Sequence, residues 1–124
     1  MAVAETTQAD LTGVTEAYLR AWNSDDPAER AVLLDRTVAD DVVFVDPMAQ
    51  IAGRDALADH IAAVRAQFPG VTFAPAGDVD AHNGVLRVPW TATLDETVAL
   101  TGLDVDDVGA DGRLTRIVGF FDKP

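Results

Sequence analysis

The spacing of apolar residues changes along this chain at Pro69-Gly70, and that change restricts the possible folds more than any other feature. Before it, apolar residues recur mainly at steps of three and four, the period of a helix with one buried face. After it, short β-branched runs alternate with turn residues, which is typical of strands. The sequence therefore predicts three helices followed by an antiparallel meander.

Each predicted helix has a recognisable start or apolar stripe. The first runs from about Gln8 to Asn23, the second starts at Asp26-Pro27 and the third starts at Gly53. Asp can accept hydrogen bonds from free amides and Pro tolerates the first helical position, so Asp26-Pro27 favours a helix start. We expect the first two helices to form a hairpin. The apolar stripes comprise Leu11, Val14, Tyr18, Ala21 and Trp22, then Ala31, Leu34 and Val38, then Leu57, Ile61, Val64 and Phe68.

Strands are predicted where β-branched runs end at turn residues. One short run, Val42–Val45, lies between the second and third helices, and four more are Val71–Ala74, Val85–Leu94, Val98–Val105 and Leu114–Phe121. Asn83-Gly84 and Asp111-Gly112 are hairpin turns, while Pro89 predicts a bulge, bend or edge because it cannot donate a ladder hydrogen bond. We expect one α+β domain over residues 1–124, with a strongly bent sheet wrapped around three helices.

Composition excludes several classes of function. The net charge is −12 and no basic cluster is present, which argues against nucleic acid or an anionic membrane as partner. No cysteine is present, so disulfides, thiolate nucleophiles and Cys-ligated metals are excluded. With two histidines and no nucleotide-binding or triad motif, we expect neither a metal nor a cofactor. No membrane span or export signal is evident, so we expect a cytoplasmic protein.

Asp46 is the first candidate for chemistry. It ends the apolar segment Phe44-Val45-Asp46-Pro47, where a carboxylate would enter a low-dielectric interior and its pKa would rise toward that of a useful base. Because Asp-Pro commonly opens turns, Asp46 could equally form the turn that leads to residues 48–53.

Tyr18 and Asp104 are the other two candidates. Tyr18 lies on the apolar stripe of the first helix, so its hydroxyl could donate to a developing oxyanion, or it could be a core tyrosine bonded to backbone. Strand alternation puts Asp104 on the face of Val98, Leu100 and Gly102, where a protonated carboxyl could donate as well. A bulge could instead bring Asp106 or Asp107 inward, or all three acids could lie on a solvated strand end.

Aromatic residues at core-like spacings could line an apolar ligand pocket, although core packing is the default interpretation. His60 is expected on the flank of its helix and His82 in a turn, so neither is a catalytic candidate. The predicted pocket residues are Trp22, Phe44, Phe68, Trp90 and Phe121.

The order of these motifs resembles the nuclear transport factor 2-like superfamily, particularly SnoaL-like proteins and ketosteroid isomerases, over nearly the whole chain. The segments that carry the resemblance are Ala39-Asp40-Asp41, Phe44-Val45-Asp46-Pro47, the helix start at Gly53, Ala81-His82-Asn83-Gly84, Asp111-Gly112-Arg113-Leu114 and Gly119-Phe120-Phe121-Asp122. The resemblance implies a cone of helices and a curved, mixed but mainly antiparallel sheet around an apolar pocket. It also implies a homodimer.

In ketosteroid isomerases, a carboxylate in a similar Asp-Pro segment moves the proton, while a helix tyrosine and a protonated strand aspartate hold the enolate oxygen. By motif these residues resemble Asp46, Tyr18 and Asp104. The resemblance therefore implies cofactor-independent proton transfer next to a carbonyl of a small hydrophobic molecule, ending in isomerisation or in SnoaL-like cyclisation. The alternative is a domain of the same fold that only binds a hydrophobic ligand or dimerises.

Overall fold

Three helices and a seven-stranded sheet make up residues 8–122, which are the residues that the computed structural model describes. The helices are α1 (Gln8–Asn23), α2 (Pro27–Thr37) and α3 (Arg54–Gln67). The first two pack against each other as a hairpin, as predicted. None of the helices within this range is long and apolar enough to cross a membrane.

The start of α2 follows the predicted capping chemistry, but its buried face differs from the prediction. Asp26 accepts a hydrogen bond from the backbone N–H of Ala28 at 3.0 Å, which satisfies a free amide of the first turn. Of the predicted stripe, Leu34 is buried, Ala31 is exposed and Val38 is already the first residue of a strand. The helix ends one residue earlier than a stripe through Val38 requires. Its buried residues are Arg30, Leu33, Leu34 and Thr37.

The sheet is mixed but mainly antiparallel, as the resemblance implied, and it is unclosed. Its order is β2-β1-β7-β6-β5-β3, with β4 also paired to β5. β1 and β7 run parallel, and every other pair is antiparallel. The strands are β1 (Val38–Asp46), β2 (Ala49–Ala52), β3 (Thr72–Pro75), β4 (Asp80–His82), β5 (Val85–Leu94), β6 (Thr97–Val108) and β7 (Leu114–Phe121).

Pro89 sits in the middle of β5 without a bulge on the β6 side, where it pairs with Leu103. Its carbonyl accepts from the backbone N–H of Ala76, so its own nitrogen also faces the β3 and β4 side. This side is interrupted there, because β3 pairing ends at Trp90 and β4 pairing ends at Arg87. The position where Pro89 lacks an N–H therefore faces the gap between β3 and β4, where β5 is locally an edge strand.

A bulge near the start of β6 overturns one predicted position. Ala92 pairs with Leu100 while Thr93 pairs with Val98, which leaves Ala99 as an extra residue. An extra residue reverses the alternation, so Val98 does not share the face of Asp104 and is 55% exposed. Leu100 and Gly102 stay on the inward face, as predicted.

Two predicted hairpin turns are confirmed, and a third was not predicted. Asn83-Gly84 joins β4 to β5 and Asp111-Gly112 lies in the β6–β7 turn. The third turn is Asp95-Glu96, where both residues have positive φ, 53° and 65°. This conformation matches the strand twist but is strained for side chains with a Cβ.

Replacing Asp95-Glu96 by Asn-Gly should therefore raise the free energy of unfolding by about 1 kcal/mol, because Asn and Gly tolerate positive φ. Urea unfolding measures the change. Asn83-Gly84 has the same backbone conformation and provides the reverse control, since Gly84→Glu should destabilise the protein. An unchanged urea midpoint for the Asn-Gly variant would contradict the strain argument.

Arg65 of α3 joins the end of α1 to the residue that precedes β3. Its Nη1 donates to the backbone carbonyls of Trp22 and Val71, both at 2.8 Å, and its Nε donates to Asp25 at 2.6 Å. The bond to Trp22 satisfies a carbonyl in the last turn of α1, which has no partner within its helix. Asn23 adds two hydrogen bonds to the backbone of Phe73. These contacts fix α1, and with it Tyr18, against the sheet.

Candidate active site

Three neighbouring strands bring Asp46 and Asp104 to the same row of the inward face. Val45 of β1 pairs with Val118 of β7, and Asp104 of β6 pairs with Gly119. A Cβ placed on Gly119 would lie 3.2 Å from Oδ1 of Asp104 and 3.2 Å from Cβ of Asp46, so these two atoms are at most twice 3.2 Å, or 6.4 Å, apart. Gly119 thus leaves open space between the two acids.

Asp46 forms the turn that was one of the two alternatives from the sequence, and it is half-buried at the cavity, not enclosed in the interior as the other alternative expected. Its Oδ1 accepts the backbone N–H of Met48 at 2.8 Å, so it forms the turn between β1 and β2. It also lines the large inward cavity. No described residue donates to its second oxygen, and no described Lys or Arg pairs with it.

Asp104 is buried and accepts one hydrogen bond, from the indole Nε1 of Trp90 at 2.9 Å. Burial raises the pKa of Asp104 to about 7, the Trp90 hydrogen bond opposes this rise, and the charge of Asp46 adds to it. Near neutral pH a large share of the Asp104 carboxyl groups is therefore protonated and able to donate a hydrogen bond.

Tyr18 reaches this row from α1. Its side chain is buried and its hydroxyl has no hydrogen-bond partner among the described residues. Burial, followed by the negative charge of Asp104, raises the pKa of the phenol well above its ordinary value of 10.0, so the phenol is neutral. The indole N–H of Trp22 acts in the opposite direction but does not reach hydrogen-bonding geometry. A buried donor without a partner is costly in a folded protein.

Of the three neighbouring acids on β6, the sequence left open which ones face inward. Asp104 and Asp106 both do, two residues apart on β6, while Asp107 is exposed. Asp106 pairs with Ile117 and Leu86 across the sheet and lies deeper, outside the lining of the cavity. Its Oδ1 has no hydrogen-bond partner in the described part of the chain. Burial, then the charges of Asp104 and Asp107, raise the pKa of Asp106 well above its usual value.

These raised pKa values predict that the protein loses stability as the pH rises. Between the unfolded pKa of 3.8 and the folded pKa of about 7, the folded state holds a proton on Asp104 that the unfolded chain releases, and Asp106 behaves likewise. The free energy of unfolding should therefore fall from about pH 4 through pH 7. Asp106→Asn, which cannot ionise, should unfold at higher urea concentration than the wild type at pH 8 and depend less on pH.

The control for this prediction is Asp107→Asn, which removes the same charge from the exposed side of the same strand. This control distinguishes the effect of burying Asp106 from the general repulsion between negative charges in a chain with net charge −12. Equal pH dependence of both variants would contradict the assignment to Asp106.

Asp46 and Asp104 line a mostly apolar cavity of about 640 Å³. All eight residues predicted for the site or pocket line it: Tyr18, Trp22, Phe44, Asp46, Phe68, Trp90, Asp104 and Phe121. Phe68 follows the end of α3 and is 44% exposed, so it lies at the cavity rim and not in the core. Within residues 8–122, no Lys or Arg lines the cavity.

Aromatic rings form a continuous wall of this cavity. Successive ring centroids lie 5.8 Å apart from Phe44 to Trp22, 5.2 Å from Trp22 to Phe73, 6.1 Å from Phe73 to Trp90 and 6.0 Å from Trp90 to Phe121. Such a wall suits a flat hydrophobic ligand.

His60 also lines the cavity, although it was predicted only on the flank of its helix and not as a site residue. Its ring contacts those of Trp22 and Phe44, with centroids 5.9 and 5.5 Å away. The available signal was its position three residues after Leu57 and four before Val64, which places it beside the apolar stripe. His82 is exposed at the end of β4, as expected. Among residues 8–122, no three His, Asp or Glu side chains form a group that could hold a metal ion.

Comparisons with known proteins bear on the fold and the family of this chain. A candidate isomerase of the SnoaL-like family from Agrobacterium tumefaciens is 33% identical, with a TM-score of 0.85 over 90% of this chain and 97% of that one. A candidate polyketide cyclase from Sinorhizobium meliloti is 18% identical, with a TM-score of 0.70 over 91% and 98% of the two chains.

A hypothetical protein with a ketosteroid isomerase-like fold from Catenulispora acidiphila, solved in complex with trimethylamine, is 14% identical, with a TM-score of 0.71 over 88% and 85%. No curated protein matches the sequence. The helices and the unclosed mixed sheet are those of the NTF2-like α+β cone. Since the model of the SnoaL-like domain matches residues 15–117, this chain belongs to the SnoaL-like domain family.

Proposed function

We propose that this protein catalyses proton transfer next to a carbonyl of a small hydrophobic substrate, with Asp46 as base and Tyr18 and Asp104 as donors to the enolate oxygen. One observation carries the proposal. The described residues leave the buried hydroxyl of Tyr18 without a hydrogen-bond partner, beside two acids that face a mostly apolar cavity with no Lys or Arg in its described lining. A substrate oxygen would supply the partner that this hydroxyl lacks.

The chemistry follows from the charge of each group. The Asp46 carboxylate removes a proton from the carbon next to the carbonyl and becomes neutral. The electron pair of the broken C–H bond forms the C=C bond of the enolate, while the π pair of the C=O bond moves to the oxygen. Neutral Tyr18 and protonated Asp104 donate hydrogen bonds to this oxygen as its negative charge develops. Return of the proton from Asp46 to another carbon gives an isomer. Attack of the enolate carbon on a second carbonyl closes a ring, and the alkoxide that forms there takes the proton from Asp46.

Both outcomes share the first step, so the test should follow that step alone. In D₂O, the protein should accelerate exchange of α-protons for deuterium in cyclic ketones of one to three rings, followed by proton NMR. Asp46→Asn should remove the acceleration. Exchange at the uncatalysed rate for every ketone would count against the proposal.

The two proposed donors, Tyr18 and Asp104, can be tested by ligand binding without turnover. 2-Naphthol resembles an enol and changes its spectrum when it ionises. We expect it to bind in the cavity, with weaker binding to both Tyr18→Phe and Asp104→Asn, because each variant lacks one donor. Binding to the wild type that neither variant weakens would place the ligand elsewhere.

A second candidate function is binding of a hydrophobic amine without catalysis. The aromatic wall and the uncompensated carboxylate of Asp46 favour a cation, because ring faces and a carboxylate both attract positive charge. The distantly related Catenulispora structure holds trimethylamine. Benzyltrimethylammonium binding, with no ketone exchange, would favour this alternative.

We also propose that the protein is a homodimer formed through the outward face of the sheet, and that it is cytoplasmic. Phe120 projects from that face and is 54% exposed, with Leu103 paired beside it. Light scattering should give the mass of two chains, and Phe120→Asp should shift it toward one chain. A single-chain mass for the wild type would exclude the dimer.

A further inference from the structure

Trp90 contributes more to the site than an aromatic surface. Among the described residues, it is the only side chain that donates a hydrogen bond to one of the inward-facing acids, Asp46, Asp104 and Asp106. Its indole lies over Gly102, where a Cβ would overlap the ring. The absence of a side chain at Gly102 therefore lets the indole N–H point along the strand to Asp104.

A protonated carboxyl group has one hydroxyl oxygen and one carbonyl oxygen. The indole N–H can only donate, and the carbonyl oxygen is the stronger acceptor of a protonated carboxyl group, so we assign Oδ1, which accepts the indole N–H, as the carbonyl oxygen of Asp104. The proton is then on Oδ2, to which no described residue donates. We propose that Trp90 is a positioning residue, which confines the Asp104 proton to Oδ2 and so directs it to the substrate oxygen. This inference rests on the proposed function.

The hydrogen bond also affects the strength of the donor. Trp90 lowers the pKa of Asp104 against the larger effect of burial, and a more acidic hydroxyl is a stronger hydrogen-bond donor. The titratable groups around Asp104 are Tyr18 on α1, Asp46 on β1, Asp106 on the same strand and His60 on α3, which lines the same cavity. Among the causes of the Asp104 shift, only the bond from Trp90 favours ionisation.

The resting protein provides a test that needs no substrate. The chain has two tryptophans, Trp22 and Trp90, so an NMR spectrum should show two indole N–H resonances, assigned with Trp22→Phe and Trp90→Phe. The Trp90 resonance should move with pH, with a midpoint near 7, as Asp104 ionises. Asp104→Asn should abolish this movement. A Trp90 resonance that stays fixed while the Asp104 carboxyl carbon titrates would overturn the inference.

Turnover provides the second test. Trp90→Phe keeps an aromatic ring but lacks the donor, so kcat for ketone exchange should fall about 3- to 10-fold with a smaller change in KM. The decrease of activity at high pH, which reports ionisation of Asp104, should move to higher pH in this variant. In the control variant Trp22→Phe, the pH at which activity decreases should be the same as in the wild type. An unmoved profile in Trp90→Phe would contradict the inference.

The two measurements also separate this inference from the proposed function. If no ketone exchanges but the Trp90 resonance follows Asp104, the proposed reaction fails while the link between Trp90 and Asp104 stands. If exchange requires Asp46 but the Trp90 resonance is fixed, the reaction stands and the positioning role fails.

Discussion

Replacing Asp46 by Asn should lower kcat for α-proton exchange by about 10²–10⁴-fold, the usual contribution of a general base. The same change should leave the free energy of unfolding within about 0.5 kcal/mol of the wild type, because the Asn carbonyl oxygen can still accept the N–H of Met48. Loss of activity without loss of stability would assign Asp46 to chemistry and not only to the turn.

The matched control for Asp46→Asn is Asp41→Asn. Asp41 lies on the same strand but is exposed, and it is not among the residues that line the cavity. The Asp41→Asn variant removes one negative charge from β1 and should leave the exchange rate unchanged. Wild-type activity in Asp46→Asn would exclude this residue as the base, and the open oxygen of Asp104 would then be the next candidate.

Local patterns in the sequence were sufficient for much of the fold. The predicted bounds of the first helix, Gln8–Asn23, are those observed, because its apolar stripe is long and its neighbours are polar. The turn at Asn83-Gly84 was predictable because few other residue pairs adopt positive φ readily. Tyr18 and Asp104 were found for a related reason, since a polar group on an apolar face is informative.

Contacts between distant segments could not be predicted in the same way. The parallel pairing of β1 with β7 brings Asp46 next to Gly119, yet nothing near either residue indicates that pairing. The bulge at Ala99 has no glycine or proline to mark it, so Val98 was assigned to the wrong face. Which residues form a cavity and which form a core also depends on how closely the helices approach the sheet. His60 and Phe68 are the two residues for which that distinction mattered.

Tyr18→Phe should have opposite effects on activity and stability. Loss of one preorganised donor should lower kcat by about 10²–10³-fold. The free energy of unfolding should rise by about 1 kcal/mol, because the variant no longer buries a hydroxyl that the described residues leave without a partner. Thr15 provides the control on the same helix, since its buried hydroxyl already donates to the carbonyl of Thr12 at 2.9 Å. Thr15→Val should not raise stability and should leave the exchange rate unchanged. If Tyr18→Phe destabilises the protein and keeps the wild-type exchange rate, the phenol hydroxyl contributes to folding and not to the reaction. If the variant is more stable and exchanges protons more slowly, the hydroxyl lowers stability and acts on the substrate.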